Sequence, residues 1–286
     1  MKRANPGFQI VSADQFTIQA LTDIYNQTRV DYIVPMPMSA TKLQTYLQEY
    51  DIDLQQSVVA ISRGVPFGIA MLGVRGSTTW ITRLGVTPAG RQRGVGQALM
   101  EALISNAKGL GARTVVLEVI KNNDPAKRLF TKFGFRATRD LHVIRRPPIS
   151  TASRHSFQGV VDELGHQDAY TLLQTRPDMP SWVTATQSMK NSAQLAAIKI
   201  DLPNTGWGWV VYQQQTLHLS RLVMATSLGD SQTVALALLQ HLHAKYPTHD
   251  TIIENVAEDD PFRLVYENLG YIPSFTRTEM VRPLKM

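Results

Sequence analysis

The two halves of the chain resemble each other at a constant spacing of 136 residues. Eight pairs agree within a 30-residue stretch and without a gap, six by identity and two by aromatic character. The pairs are Glu118/Glu254, Asp124/Asp260, Pro125/Pro261, Gly134/Gly270, Arg146/Arg282, Pro147/Pro283, Phe130/Tyr266 and Phe135/Tyr271. Self-similarity at a fixed spacing indicates that one fold occurs twice. The 286 residues therefore predict two domains of one kind, residues 1–148 and 149–286, joined around Arg145–Thr151.

Hydrophobic periodicity predicts the elements of the first copy. A helix follows Asp14, which stands at an N-cap position, and further helices are expected at Thr41–Tyr50, after Gly96 and at Pro125–Phe133. Strands are expected at Phe8–Val11, Ser57–Ser62, Phe67–Val74, Thr78–Val86, Thr114–Val119 and, as two separate strands, around Phe135 and Val143. The resulting order, βααβββαβαββ, predicts a mixed α/β sheet flanked by helices rather than a doubly wound parallel sheet.

Composition excludes several classes of protein. The chain has no cysteine, which excludes disulfides, thiolate nucleophiles and cysteine-ligated metals. No apolar stretch follows Met1-Lys2-Arg3, so a secretory signal is not expected. The longest apolar stretch, Phe67–Val74, is far shorter than the roughly 20 residues of a membrane span. We therefore expect a cytoplasmic protein that requires neither a membrane nor a metal.

Charge is distributed unevenly between the halves. Residues up to Pro148 include 19 basic and 10 acidic side chains, whereas the remainder has 10 basic and 13 acidic ones. This asymmetry is compatible with an anion site in the first half or with chance. A nucleic-acid interface is the weakest interpretation, because the arginines cluster at one loop without aromatic platforms or a groove-reading helix.

That loop is Arg91-Gln92-Arg93-Gly94-Val95-Gly96, between a predicted strand and a predicted helix. Its glycines let the backbone approach a ligand, and the following helix presents unpaired N–H groups. With the two arginines, the loop predicts a pyrophosphate cradle; the alternative is a turn whose glycines serve packing only. Gln97-Ala98 excludes the P-loop and Leu99 the dinucleotide fingerprint, while the serine-hydrolase elbow and the zinc-protease motif are absent from the sequence.

The flanking residues favour the cradle. Leu84-Gly85-Val86-x-Pro88 leading into Arg91-x-x-Gly94-x-Gly96 resembles motif A of the GNAT superfamily of acyl-CoA-dependent N-acetyltransferases. About 30 residues later, Asn123-x-x-Ala126-x-x-Leu129-Phe130-x-x-x-Gly134-Phe135 is similar to motif B of that family. The resemblance covers roughly Phe8–Arg146 and reaches the second half through the repeat. It implies tandem GNAT-like domains.

The resemblance also implies roles for individual residues. Amides from Gln92 to Gln97, with Arg91 and Arg93, would hold the pyrophosphate of acetyl-CoA. The strand end Leu84-Gly85-Val86 would pair with the pantetheine arm and offer an oxyanion N–H from Leu84 or Val86. Asn123, Ala126 and Phe130 would lie beside the cofactor.

The proton-transfer groups depart from the family pattern. The sequence contains no acidic residue between Asp53 and Glu101, so the carboxylate often found on the fourth strand is missing. The tyrosine that the family uses as an acid in motif B is replaced by Phe130. A thiol with a pKa of about 8.5 still leaves readily. Candidate bases are Asp31, Glu118 and His142.

The resemblance further implies that the acceptor is a primary amine, on a small molecule or a peptide, of unidentified structure. Arg83 beside the thioester position favours an acceptor that carries a carboxylate, with Tyr32 as a further acceptor-side candidate; a surface role for Arg83 is the alternative.

In the second copy, Asp230, Thr233 and Ala235 align with Arg91, Gly94 and Gly96, and the negative charge there predicts a non-catalytic domain. The assembly is expected to be a pseudo-symmetric monomer or a homodimer. The alternative function is a non-catalytic acyl-CoA sensor.

Overall fold

A computed structural model of the chain describes residues 7–148, 159–192, 194–227 and 229–285. These residues form two compact units. The first holds the described residues up to Arg139 together with those from Thr278 onward, and the second holds Asp140–Arg277. Of the predicted junction Arg145–Thr151, Ile149, Ser150 and Thr151 lie outside the described residues. Division into folding domains at residue 148 stays a prediction.

The first unit contains six strands from the N-terminal part of the chain and four helices. The strands are β1 (Gln9–Ser12), β2 (Ile52–Ser62), β3 (Val65–Arg75), β4 (Thr78–Val86), β5 (Thr114–Ile120) and the start of β6 (Arg136–Arg146), and the helices are α1 (Ile18–Gln27), α2 (Ala40–Glu49), α3 (Val95–Gly109) and α4 (Asp124–Lys132). Strands β1 to β4 pair in antiparallel order, and β5 joins β4 in parallel. The end of the chain completes this unit, since Leu284 N–H donates to Arg113 O.

Helices cover both faces of this mixed sheet. Alternate residues of β3 face opposite sides, so Ile69 and Met71 pack with α1 and α2, whereas Ala70 and Leu72 pack with α3. On the α3 side of the sheet, Leu99, Met100 and Leu103 are each 0% exposed. Two separate apolar layers thus fix the positions of the helices on the sheet.

The second unit repeats this plan. Its remaining strands are β7 (Val160–Leu164), β8 (Leu195–Leu202), β9 (Gly206–Gln214), β10 (His218–Thr226), β11 (Asp250–Ala257) and the first part of β12 (Ile272–Pro283), and its helices are α5 (His166–Leu173), α6 (Thr186–Asn191), α7 (Ser231–Lys245) and α8 (Arg263–Asn268). Helices α7 and α8 pack on one face of the sheet, and α5 and α6 on the other. The two faces again place helices on both sides of a mixed sheet.

Two local predictions were wrong. Asp14 lies in a short 3-10 turn, Ala13–Gln15, and Thr17 caps α1 instead, accepting a bond from Ala20 N–H at 3.2 Å. The two strands expected around Phe135 and Val143 are one continuous strand, β6. The side-chain oxygen that reaches an amide two or three residues further on becomes the cap, and Asp14 and Thr17 both have such an oxygen.

None of the helices in the described part of the chain has the length and apolar character needed to cross a membrane.

A buried histidine makes the second unit sensitive to acid. Burial, with a contribution from Arg146, lowers the pKa of His243 to about 3, and its Nε2 lies 3.0 Å from the Tyr271 hydroxyl. An unfolded histidine has a pKa of about 6.5, so the unfolded state binds more protons below that pH. The stability contributed by neutral His243 is present above about pH 6.5 and is lost as the pH falls towards 3.

We expect about 2 kcal/mol of unfolding free energy to be lost through His243 between pH 7 and pH 5. Urea unfolding of the wild type and of His243→Leu at both values measures this. The variant is less stable at pH 7 because the Tyr271 contact is lost, but its further loss at pH 5 should be about 2 kcal/mol smaller. Equal losses in the two proteins would contradict the assignment.

Candidate active site in the first unit

Strands β4 and β5 part in the middle of the sheet. Their parallel pairing runs from Thr78–Thr114 to Ile81–Leu117 and ends there, although β4 continues to Val86 and β5 to Ile120. On its other side β4 stays paired with β3 as far as Val86. One edge of β4 beyond Ile81 is therefore available to a ligand.

A β-bulge lies at the point of parting. The register of β3 and β4 shifts by one residue between the pairs Ile69–Gly85 and Met71–Thr82, and Arg83 has a left-handed φ of 51°. A bulge re-aims a side chain relative to simple alternation. Consequently Thr82 and Arg83, although adjacent, point to the same side of the sheet. Thr82 contacts Tyr46 of α2, and Arg83 contacts Tyr25 of α1.

The backbone orientation of the free edge follows from one hydrogen bond. Thr87 N–H donates to Phe67 O on β3 at 2.9 Å. Because N–H groups alternate in direction along a strand, Val86 N–H points the other way, towards the opening between β4 and β5. Leu84 O is accessible from the helical side, where it accepts a bond from Arg29 Nη2 at 3.0 Å.

The glycine-rich loop ends at the N-terminus of α3. Gln92 and Gly94 have left-handed φ values of 60° and 82°. The first N–H groups of a helix lack helical acceptors, and Gly94 brings no capping side chain. In the described part of the chain, no other group accepts from the amides of Val95, Gly96 or Gln97. A Cβ added at Gly94 would meet no atom within 4 Å, so no other part of the described chain packs against that side of Gly94.

This arrangement presents amides and a cation to an anion. Arg93 belongs to the loop, and its guanidinium lies 6.0 Å from the Phe67 ring centre. Arg91 is engaged, since its two terminal nitrogens each donate to Asp31 at 2.6 Å. The loop therefore has the donors that a pyrophosphate needs.

Comparison with known proteins identifies the domain. The Acetyltransferase (GNAT) family model matches residues 19–135. The first unit contains a GNAT domain. No curated protein matches the chain.

Solved structures extend the likeness over the whole chain. A tandem GNAT protein from the clavulanic acid biosynthesis pathway is 15% identical with a TM-score of 0.68, over 96% of this chain and 98% of that one. A GCN5-related N-acetyltransferase from Sphaerobacter thermophilus is 15% identical with a TM-score of 0.69, over 99% and 97%. One from Anabaena variabilis is 15% identical with a TM-score of 0.63, over 97% and 73%. The predicted tandem GNAT-like fold with mixed sheets is confirmed.

The GNAT domain also places polar groups on the α1 and α2 side of the opening. Leu117 and Val119 face the α3 core, so Glu118 between them faces the opposite side. Tyr46 of α2 lies there with its hydroxyl 2.6 Å from Thr82 Oγ1. Burial raises the pKa of Tyr46, while the charge of Arg83 lowers it and that of Glu118 raises it. Arg83, through its contact with Tyr46, and Glu118, through strand alternation, therefore lie on the same face of the sheet.

Arg83 is enclosed by aromatic rings. Its guanidinium lies 4.3 Å from the Tyr46 ring centre and 5.5 Å from that of Tyr25, and it donates to the Tyr25 hydroxyl at 3.2 Å. The side chain is half-buried. The aromatic contacts and the hydrogen bond hold this cation in one orientation.

Gly85 lets α1 approach this edge of the sheet. A Cβ at Gly85 would lie 2.2 Å from Thr28 Oγ1, which itself bonds to Tyr25 O at 2.7 Å. Any larger residue would push the C-terminal end of α1 away from β4. The glycine of the predicted strand end therefore has a packing reason in addition to its place in the motif.

The motif B residues occupy the start and the buried side of α4. Asn123 caps the helix by accepting from Ala126 N–H at 3.3 Å, and its amide nitrogen lies 3.5 Å from the Tyr32 hydroxyl. Phe130 is 5% exposed and packs against Phe135 with ring centres 6.3 Å apart. The aromatic ring at position 130 thus belongs to the core.

Two of the three candidate bases are less suitable than Glu118. The hydrogen bond from Arg91 lowers the pKa of Asp31, which makes its carboxylate a weak proton acceptor. His142 lies in the second unit, with Nε2 2.6 Å from Glu258 and Nδ1 3.1 Å from Thr276 Oγ1. Among the described residues, no group of three potential metal ligands is present.

In the second unit the equivalent loop is shorter than the sequence alignment indicated. Helices α3 and α7 both have 15 residues, and their N-caps are Gly94 and Asp230, so Asp230 corresponds to Gly94 rather than to Arg91. Asp230 accepts from Thr233 N–H at 3.1 Å, and its bonds to Thr233 lower its pKa. A carboxylate of this chain thus occupies the helix terminus that is open in the first unit.

The sequence alone did not reveal Arg29, Tyr25 or Tyr46. The two tyrosines lie at helical spacing with leucines and are buried at 0% and 8% exposure, so their pattern is that of ordinary core residues. Their hydroxyl contacts depend on the bulge at Arg83. One signal in the sequence could have indicated Arg29, because it is a polar residue at the end of a predicted amphipathic helix.

Proposed function

We propose that the GNAT domain transfers the acetyl group of acetyl-CoA to a primary amine by direct attack. The observation that carries the proposal is the presence of two sets of free backbone N–H donors next to β4. These are the amides at the N-terminus of α3 and the Val86 N–H that faces the opening between β4 and β5. Together they fit a ligand with a pyrophosphate at one end and an amide-bearing arm at the other.

The residues of the loop and strand would hold the cofactor. The amides of Gln92 to Gln97 and the charge of Arg93 and Arg91 would bind the pyrophosphate, while Leu84, Gly85 and Val86 would pair with the pantetheine arm. Asn123 and Ala126 would form the opposite wall from α4, with Phe130 behind them in the core. Acetyl-CoA supplies the acetyl group and a thiolate leaving group, whose pKa of about 8.5 makes a strong acid unnecessary.

Glu118 is the base that this geometry favours. It lies one residue beyond the last β4–β5 pair, on the face that Arg83 and Tyr46 share. Glu118 would take one proton of the acceptor ammonium, after which the amine nitrogen bonds to the thioester carbon. The carbon–sulfur bond then breaks, and the second proton leaves the nitrogen and is accepted by the CoA thiolate. Leu84 or Val86 would donate an N–H to the carbonyl oxygen as negative charge develops on it.

Arg83 and Tyr32 are the proposed acceptor-side residues. A fixed guanidinium next to a carboxylate base suits an acceptor that carries both an amine and a carboxylate. The second copy, residues 149–286, is proposed to be non-catalytic because Asp230 caps α7 where a pyrophosphate would bind.

The proposal is tested by incubating the full chain with acetyl-CoA and pairs of amino acids and their decarboxylated amines. We expect release of CoA thiol with an acetylated amine as product, and a lower KM for the amino acid of each pair. Thermal stabilisation by CoA without turnover of any amine would favour the sensor function instead. Equal KM values within pairs would exclude the role of Arg83 but leave the transfer reaction standing.

A further inference from the structure

Three of the four residues 29–32, which follow α1, contact elements of the proposed cofactor cleft. Arg29 donates to Leu84 O on β4 at 3.0 Å, and its guanidinium lies 4.2 Å from the Tyr32 ring centre. Asp31 binds Arg91 of the phosphate loop. The Tyr32 hydroxyl lies 3.5 Å from Asn123 at the start of α4. The segment 29–32 therefore lies along the opening between β4 and β5.

Asp31 binds Arg91 through a bidentate ion pair. Each carboxylate oxygen accepts from a different terminal nitrogen of the guanidinium, both at 2.6 Å. This two-point geometry is the one by which arginine binds carboxylates and phosphates alike. The hydrogen bond raises the pKa of Arg91 and lowers that of Asp31, so both groups are charged at neutral pH.

Neither side chain is needed to form the core. The Arg91 and Asp31 side chains are 43% and 53% exposed, and 60 positions separate them in the chain. Exposed ion pairs contribute little to stability, because solvent screens them and ordering two side chains costs entropy. The pair can therefore be exchanged for another anion at small cost.

We propose that Asp31 is a positioning residue that occupies Arg91 as an internal competitor of the cofactor's pyrophosphate. The inference rests on the proposed function, since it assumes that the loop binds CoA. Asp31 accepts one N–H from each terminal nitrogen of Arg91 and neutralises its charge, so the pyrophosphate gains the full charge and the two-point geometry of Arg91 only when Asp31 gives them up. The carboxylate would also repel an incoming diphosphate. CoA binding thus exchanges one anion for another on Arg91 and detaches segment 29–32 from the loop.

Calorimetric titration of the full chain with CoA tests the proposal, using Asp31→Asn and the matched control Asp23→Asn. Asp23 is exposed on α1 and bonds to Gln19, so its substitution removes the same charge without contacting the loop. We expect Asp31→Asn to bind CoA about two- to fivefold more tightly, the range for an exposed ion pair. Dephospho-CoA, which keeps the pyrophosphate, should show the same gain, and pantetheine, which lacks it, should show none.

The outcomes separate this inference from the proposed function. If the wild type does not bind CoA, the proposed function fails. If the wild type binds and Asp31→Asn binds equally or more weakly, the competitor role is overturned. An equal gain in Asp23→Asn would attribute the effect to net charge and would also overturn it. A gain that is confined to ligands with a pyrophosphate and shrinks in high salt supports the proposal.

Discussion

Substitution of Gly94 by valine is expected to abolish CoA binding while the protein remains folded. Gly94 has a φ of 82°, a conformation that costs an L-residue about 1–2 kcal/mol, and a β-branched residue more. A Cβ there meets no protein atom within 4 Å, so the valine would not clash with the rest of the described chain and its effect is confined to the loop. The loss of affinity therefore comes from a distorted loop whose amides no longer converge on the anion.

The matched control for this variant is Gly64→Val. Gly64 lies in the turn between β2 and β3 with a φ of 77° and likewise has no atom within 4 Å of an added Cβ. It suffers the same backbone strain away from the phosphate loop. Thermal unfolding should show similar destabilisation of both variants, whereas calorimetry should show CoA binding in Gly64→Val alone. Wild-type affinity in Gly94→Val would contradict the assignment of the loop.

Substitution of Glu118 by glutamine is expected to lower kcat by about 10²- to 10⁴-fold, the usual contribution of a general base. The amide keeps the size of the side chain but cannot accept the ammonium proton. CoA affinity should stay close to that of the wild type, because the phosphate loop and the edge of β4 are unchanged. Steady-state kinetics together with CoA titration separates the two effects.

The internal repeat provides a control for Glu118. Glu254 is its counterpart 136 residues later and lies in the second unit, where it bonds to Arg277 at 2.8 Å. If the second copy is non-catalytic, Glu254→Gln should retain kcat. A large loss of kcat in Glu254→Gln combined with near-normal turnover in Glu118→Gln would place the reaction in the second unit and contradict the assignment of Glu118.

The sequence predicted the strands, the helices and the phosphate loop because their signals are local. Apolar alternation, a helix that begins after Gly94, and β-branched runs such as Thr114–Val119 each act over a few residues. The tandem fold followed from the repeat, which needs no tertiary information.

The features missed by sequence reasoning depend on distant contacts. The bulge at Arg83 arises from the register between β3 and β4. Thr82-Arg83-Leu84 contains no glycine, so nothing in the local sequence indicates the left-handed φ of Arg83. The pairing of Asp31 with Arg91 joins residues 60 positions apart, so Asp31 was predicted as a possible base. Asp230 was aligned with Arg91 at a local spacing of 139 residues, whereas the spacing of 136 that relates the rest of the two halves pairs Asp230 with Gly94, as the structure does.

The decisive quantity is the number of CoA molecules that one chain binds. We propose one pyrophosphate site, at Gly94 and the N-terminus of α3, whereas the carboxylate of Asp230 caps the equivalent terminus of α7. Calorimetry or native mass spectrometry of the full chain should give one CoA per chain in the wild type and none in Gly94→Val. Two molecules per chain, or one that persists in Gly94→Val, would contradict the account.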